Sequence, residues 1–120
     1  MPARVVYETD EVLCFLPNEI EVYGHTLIVP KEHFADLYDI PDNLLEKLIT
    51  TSKKLALAYK EKIGATGTNI MHASGEDGEQ SVFHFHFHLL PRFEKDGLKT
   101  WPDFPKIDMN ADELLGKLKL

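Results

Sequence analysis

The segment Phe83-His84-Phe85-His86-Phe87-His88 sets three imidazoles two residues apart. In an extended chain alternate side chains point to opposite faces. His84, His86 and His88 therefore share one face, and Phe85, Phe87 and Leu89 share the other. The apolar face has an obvious packing role. The imidazole face has no structural need for three histidines, and two chemistries suit it. One is metal ligation, since histidines at i and i+2 can chelate one Zn²⁺. The outer two, however, lie roughly 13 Å apart by strand rise, so further ligands would have to come from His25, His33, His72 or an acid. The other is nucleophilic attack on phosphorus. A neutral imidazole is a competent nucleophile near neutral pH, and two flanking imidazoles could orient it and balance phosphate charge. The preceding loop, residues 75–81, offers glycine-associated backbone N–H groups and the side chains of Gln80 and Ser81 to an anion.

Such a strand needs neighbours. Residues 5–8 and 11–16 are short and β-prone, and Thr9-Asp10 between them predicts a hairpin. Residues 25–29 are rich in β-branched side chains and are stopped by Pro30, with Gly24 ahead of them allowing a special backbone angle or a close approach by a ligand. Residues 33–38 suggest a short helical turn. A long helix follows, with Asp42 as its N-cap and Gly64 as its C-cap. Leu44, Leu45, Leu48, Ile49, Leu55, Ala56, Tyr59 and Ile63 fall on its apolar face at helical spacing, and its later lysines form a solvated face. Strands are expected at 68–71 and 82–90, the latter closed by Pro91. An irregular tail begins at about residue 92, and a terminal helix is expected at 111–118. The expected fold is α+β: a mainly antiparallel sheet carrying one long helix in a single domain, residues 1–120.

The totals limit the function classes. A formal charge of −7 argues against broad nucleic-acid backbone binding, though not against a small nucleotide held by a local site. Met1 to Glu8 has no signal-peptide pattern and no stretch approaches spanning length, so a cytoplasmic protein without a membrane role is expected. The lone Cys14 excludes an intrachain disulfide and reads as a small buried apolar residue.

The stretch Gln80-Ser81-Val82-Phe83-His84-Phe85-His86-Phe87-His88-Leu89-Leu90-Pro91-Arg92 resembles the signature of the histidine-triad (HIT) family: His-φ-His-φ-His-φ-φ with φ apolar, preceded by Gln and often followed by Pro-Arg. Gly24-His25-Thr26-Leu27-Ile28-Val29-Pro30-Lys31-Glu32-His33 is similar to the family's Gly-His-x-Leu-φ-φ-Pro-Lys-x-His block. Asn69-Ile70 and the stretch 97–102 also resemble family positions, so the likeness runs from Val12 to Pro102. The resemblance implies a hydrolase or transferase releasing a nucleoside monophosphate, typically a purine one, from a phosphoramidate or dinucleotide conjugate. It implies His86 as the residue that becomes nucleotidylated, with His84 and His88 as its supports. It further implies that His25, Asn69, Gln80 and Ser81 form the substrate-binding set. No metal or other cofactor takes part, and the sheets of two copies join in a homodimer.

Some positions depart from that pattern. Pro17 stands where many members carry an acidic residue that grips the ribose hydroxyls, and Ala73 replaces an asparagine near the phosphate. Glu79 replaces a small residue and, with Glu76 and Asp77, makes the loop acidic; these carboxylates are expected to face solvent. His72 is unusual for the family, and its direction is left open. His33 reads as structural, Trp101 as a packing anchor or dimer contact, and Arg92 and Lys31 as surface residues or aids to phosphate attraction.

Overall fold

The computed structural model describes residues 3–120; Met1 and Pro2, at the head of the N-terminal stretch read above, lie outside them. Five strands form one sheet: β1 (Arg4–Glu8), β2 (Val12–Leu16), β3 (Thr26–Pro30), β4 (Gly67–Met71) and β5 (Phe87–Arg92). The order is β1-β2-β3-β5-β4, with every neighbouring pair antiparallel. Helix α1 (Asp42–Ile63) connects β3 to β4, and α2 (Ala111–Leu118) ends the chain. The α+β expectation therefore holds, and so does the β1–β2 hairpin. Its turn is closed by Thr9, whose N–H donates to Val12 O at 2.9 Å and whose Oγ1 accepts from Val12 N–H at 3.0 Å.

The sheet has two faces of different character. The inner one carries Val12, Cys14, Ile28, Phe87 and Leu89, all buried against Leu44, Leu48 and Leu55 of α1. Cys14 is fully buried as expected, and desolvation pushes its thiol up to about 11. On α1 the buried stripe runs Leu44, Leu48, Ser52, Leu55. Ile49 is exposed, not part of this stripe, because position 52 completes the turn instead; Ser52 Oγ is satisfied by donating to Leu48 O at 2.8 Å. The helix starts one residue earlier than its sequence suggests. Pro41 occupies the cap position without a side-chain hydrogen bond, and Asp42 lies in the first turn, where its charge still suits the dipole. Gly64 caps the other end as expected, at φ +73°.

Three local expectations are corrected. Residues 33–38 are not helical; the chain makes a turn at 37–39, organised by Asp36 Oδ1 accepting from the N–H groups of Tyr38 and Asp39. The histidine strand does not begin at Val82. Residues 82–84 bend, and the regular ladder starts only at Phe87. Nor does Pro91 end that strand: it is buried within it, opposite Thr68. The β3–β5 pairing stops at Thr26↔Leu89, so on that flank nothing requires the N–H that proline lacks. Gly24 lies there instead. Its φ is +84°, and a Cβ on it would stand 2.8 Å from Pro91 Cγ and 3.0 Å from Ile63 Cδ1. The close approach expected at Gly24 is made by protein, not ligand.

The terminal helix matches its expected bounds and is capped by Asn110, whose side chain accepts from Glu113 N–H. Among the described residues no helix is long and apolar enough to cross a membrane.

Candidate active site

The outer face of the sheet carries the chemistry. Leu13 and Phe15 of β2 stand opposite Val29 and Leu27 of β3, and Leu27 stands opposite His88 of β5. Leu13, Phe15, Leu27 and Val29 line an open apolar trough of about 460 Å³, bounded by Pro30, Lys31, Val82, His84 and His86. The apolar/imidazole alternation survives even though the ladder begins late: Phe85, Phe87 and Leu89 are buried, while His84, His86 and His88 are half-buried on the other side.

The hydrogen bonds fix the tautomers of this cluster, because carbonyls can only accept and backbone N–H groups can only donate. His86 Nδ1–H donates to His84 O at 2.8 Å, which leaves Nε2 of neutral His86 with its lone pair free. His25 Nδ1 accepts from Glu21 N–H, so its Nε2–H donates to His88 Nδ1 at 2.9 Å. The His88 ring then meets the His86 ring edge-on, centroids 4.9 Å apart. At the other end His84 Nε2–H donates to Pro30 O at 2.9 Å, and its Nδ1 accepts from His33 Nδ1–H at 3.1 Å. The three histidines are thus brought together as a chain whose only unanchored basic nitrogen near the trough is on His86.

Electrostatics keeps the deep end neutral. His25 is 2% exposed, and desolvation pulls it below the ordinary imidazole value, opposed by Glu21. His88 is lowered as well, first by desolvation, then by neighbouring His86 and His25. A group of three or more His, Cys, Asp or Glu side chains arranged to hold one metal ion is absent among the described residues.

The residues expected to contact substrate separate into two kinds. Ser81 is exposed. His25 is buried, with its ring donating to His88. Gln80 is buried with its amide fully engaged: Oε1 accepts from Gly75 N–H, and Nε2 donates to Ala35 O and Val82 O. It holds the loop to its neighbours. Asn69 lies two ladder positions away, on the His88 side of β4, where its Oδ1 accepts from Arg92 Nη1 and Thr100 Oγ1. Arg92 itself clamps Asp96 and Leu98 O, so it organises the tail rather than attracting phosphate; its pairing pulls the Asp96 carboxyl far below the usual range. The loop's amides are also largely spent internally, with Gly78, Glu79 and Gln80 N–H bonded to Gly75 O and Glu76 O. Glu76, Asp77 and Glu79 face solvent as expected.

Two features escaped sequence reading. The trough residues Leu13, Phe15, Leu27 and Val29 were legible in principle, because β2 and β3 are apolar at successive positions, the mark of a strand covered on both faces. The place of His72 was not. It lies against the cluster, its Nδ1–H donating to His86 O at 2.9 Å.

A HIT domain family pattern matches residues 1–95. The chain belongs to the histidine-triad (HIT) family. An uncharacterized HIT-like protein of Methanocaldococcus jannaschii is 39% identical over 120 residues, covering 99% of this chain and 91% of its own. The adenosine 5'-monophosphoramidase HNT1 of Saccharomyces cerevisiae is 39% identical over 125 aligned positions, covering 99% and 77%. Among solved structures, a HIT family member from Bacillus subtilis superposes with a TM-score of 0.83 at 33% identity, covering 98% of this chain and 84% of that one. The α+β fold of this chain is therefore that of HIT structures.

Proposed function

We propose that this HIT protein releases a nucleoside monophosphate from a phosphoramidate or dinucleotide conjugate through a nucleotidyl-His86 intermediate. The observation that carries the reading is the free Nε2 of His86 at the edge of an apolar trough of about 460 Å³. Nε2 bonds to the α-phosphorus as the bond from phosphorus to the leaving group breaks, and the leaving group departs with the electron pair and picks up a proton. Water then attacks phosphorus, the N–P bond returns its pair to the imidazole, and the nucleoside monophosphate leaves with one water consumed. In the intermediate the His86 ring is cationic, and its Nδ1–H already points at His84 O, a preorganised acceptor. We assign His88, held by His25, and Ser81 to the transferring phosphate and leaving group. The yeast relative named as a monophosphoramidase supports an amine as leaving group. We read the whole chain as one domain acting as a homodimer on a purine nucleotide conjugate in the cytoplasm, without metal or cofactor.

His86→Ala should abolish release of AMP from an adenosine phosphoramidate while leaving the circular dichroism spectrum unchanged; wild-type turnover in that variant sinks the covalent route. A second reading, a nucleotide-binding module with weak catalysis, draws on the trough itself. None of its lining residues is a carboxylate that could grip ribose hydroxyls. AMP binding by calorimetry without hydrolysis of any adenylated conjugate would favour it.

A further inference from the structure

We propose that His72 is a positioning residue for His86, setting where the nucleophilic ring stands through one hydrogen bond to its main chain. The proposal rests on the reading of His86 above. His86 lies just outside the ladder: β5 begins at Phe87, and pairing with β4 ends at Met71↔His88. The carbonyl of His86 therefore takes its partner from a side chain, His72 Nδ1–H at 2.9 Å. That bond and the one from the His86 ring to His84 O are the two anchors on the nucleophile.

The donor is itself held in place. The His72 ring stacks on Phe85, centroids 4.4 Å apart, and meets Phe87 edge-on at 5.6 Å. It is clamped by the two buried residues that flank His86 in sequence. Its tautomer is set from behind. Ser74 Oγ accepts from Leu37 N–H at 2.8 Å and donates its proton to His72 Nε2, which places the remaining ring proton on Nδ1. One imidazole thus joins the end of β4, the loop leading to Ser81, the turn at 37–39 and the nucleophile. A displacement of about 1 Å at an attacking atom is enough to lower turnover about 100-fold, so this link controls rate rather than affinity.

The test separates the ring from its proton. His72→Phe keeps the stacking and removes the donor; His72→Gln restores an N–H donor without the ring. With an adenosine phosphoramidate, His72→Phe should lose about 10–100-fold in kcat with KM within about twofold, and His72→Gln should recover most of that loss. A kcat within about threefold of wild type in His72→Phe, a change confined to KM, or equal losses in the two variants would each overturn the proposal. A second measurement needs no turnover. In proton–nitrogen NMR the His86 Nδ1–H should exchange with water about tenfold faster in His72→Phe than in wild type; unchanged exchange also overturns it. Failure of the parent reading looks different: wild type and His86→Ala would release AMP equally slowly, whatever residue 72 is.

Discussion

Two histidine pairs flank His86, and they are built differently. His25–His88 is the deep pair: His25 is almost fully buried, His88 lies on the regular ladder opposite Leu27, and desolvation depresses both. His33–His84 is the shallow pair, with His33 exposed and both residues outside any strand. Their hydrogen bonds are of similar length, 2.9 and 3.1 Å. The difference lies in what surrounds them. A bond to a buried ring is largely shielded from water, whereas an exposed bond competes with water continuously. The deep pair is therefore expected to govern chemistry and stability, and the shallow pair to trim the edge of the trough.

The sharpest way to break this comparison is to remove one partner from each pair. His25→Ala should lower kcat/KM about 100-fold and destabilise by about 1–3 kcal/mol, because His88 Nδ1 is left unpaired in a desolvated place. His33→Ala should stay within about threefold in kcat/KM, since water replaces its bond to His84. Steady-state kinetics and urea unfolding of the two variants read this directly, and the reverse order would refute the comparison.

Next in size is the wall behind the deep pair. Gly24→Ala should destabilise by about 2–4 kcal/mol, from a left-handed backbone and a methyl pressed on Pro91 and Ile63. Urea midpoints check it.

A pH series sharpens the same contrast. His25 and His88 have folded values below that of an unfolded imidazole, so at low pH the unfolded chain binds more protons. Stability should be level above about pH 6.5 and fall as pH drops through the window between that value and the lowered folded ones. kcat/KM should fall in the same direction, because protonated His88 no longer accepts from His25. His33→Ala should leave the acid limb in place and His25→Ala should shift it, as read from kcat/KM against pH.

The smallest effect concerns the sugar. With no carboxylate on the trough and Pro17 at the end of β2's outward run, ribose and 2'-deoxyribose conjugates should differ by less than about tenfold in kcat/KM. A larger preference for ribose would place a hydroxyl-gripping group that these residues do not supply.

Much of this was legible in the residues alone. The alternation of His84, His86 and His88 with Phe85, Phe87 and Leu89 announced two faces, and burial follows it residue by residue. Gly64 announced its own left-handed cap. The misreadings share a cause. Pro91 reads as a strand stop, yet β4 pairs on through it while the pairing with β3 ends before it and makes no demand for its N–H. Ile49 reads as buried, yet Ser52 holds the stripe once its hydroxyl is paired within the helix. Not legible at all were the protein partners that distant segments supply to Gln80 and Asn69, Ala35 for one and Arg92 with Thr100 for the other.

The sequence by itself determined the family and the two-faced histidine segment, because these rest on residue type at short spacing, where strand periodicity leaves little freedom. Only the tertiary structure decided which histidine is buried, which imidazoles are joined across segments and that the His72 ring bonds to the main chain of His86. Those depend on hydrogen-bond partners 14 to 63 residues away in the chain, His72 to His86 and His25 to His88 among them, and on how much water each imidazole loses when the sheet closes over α1.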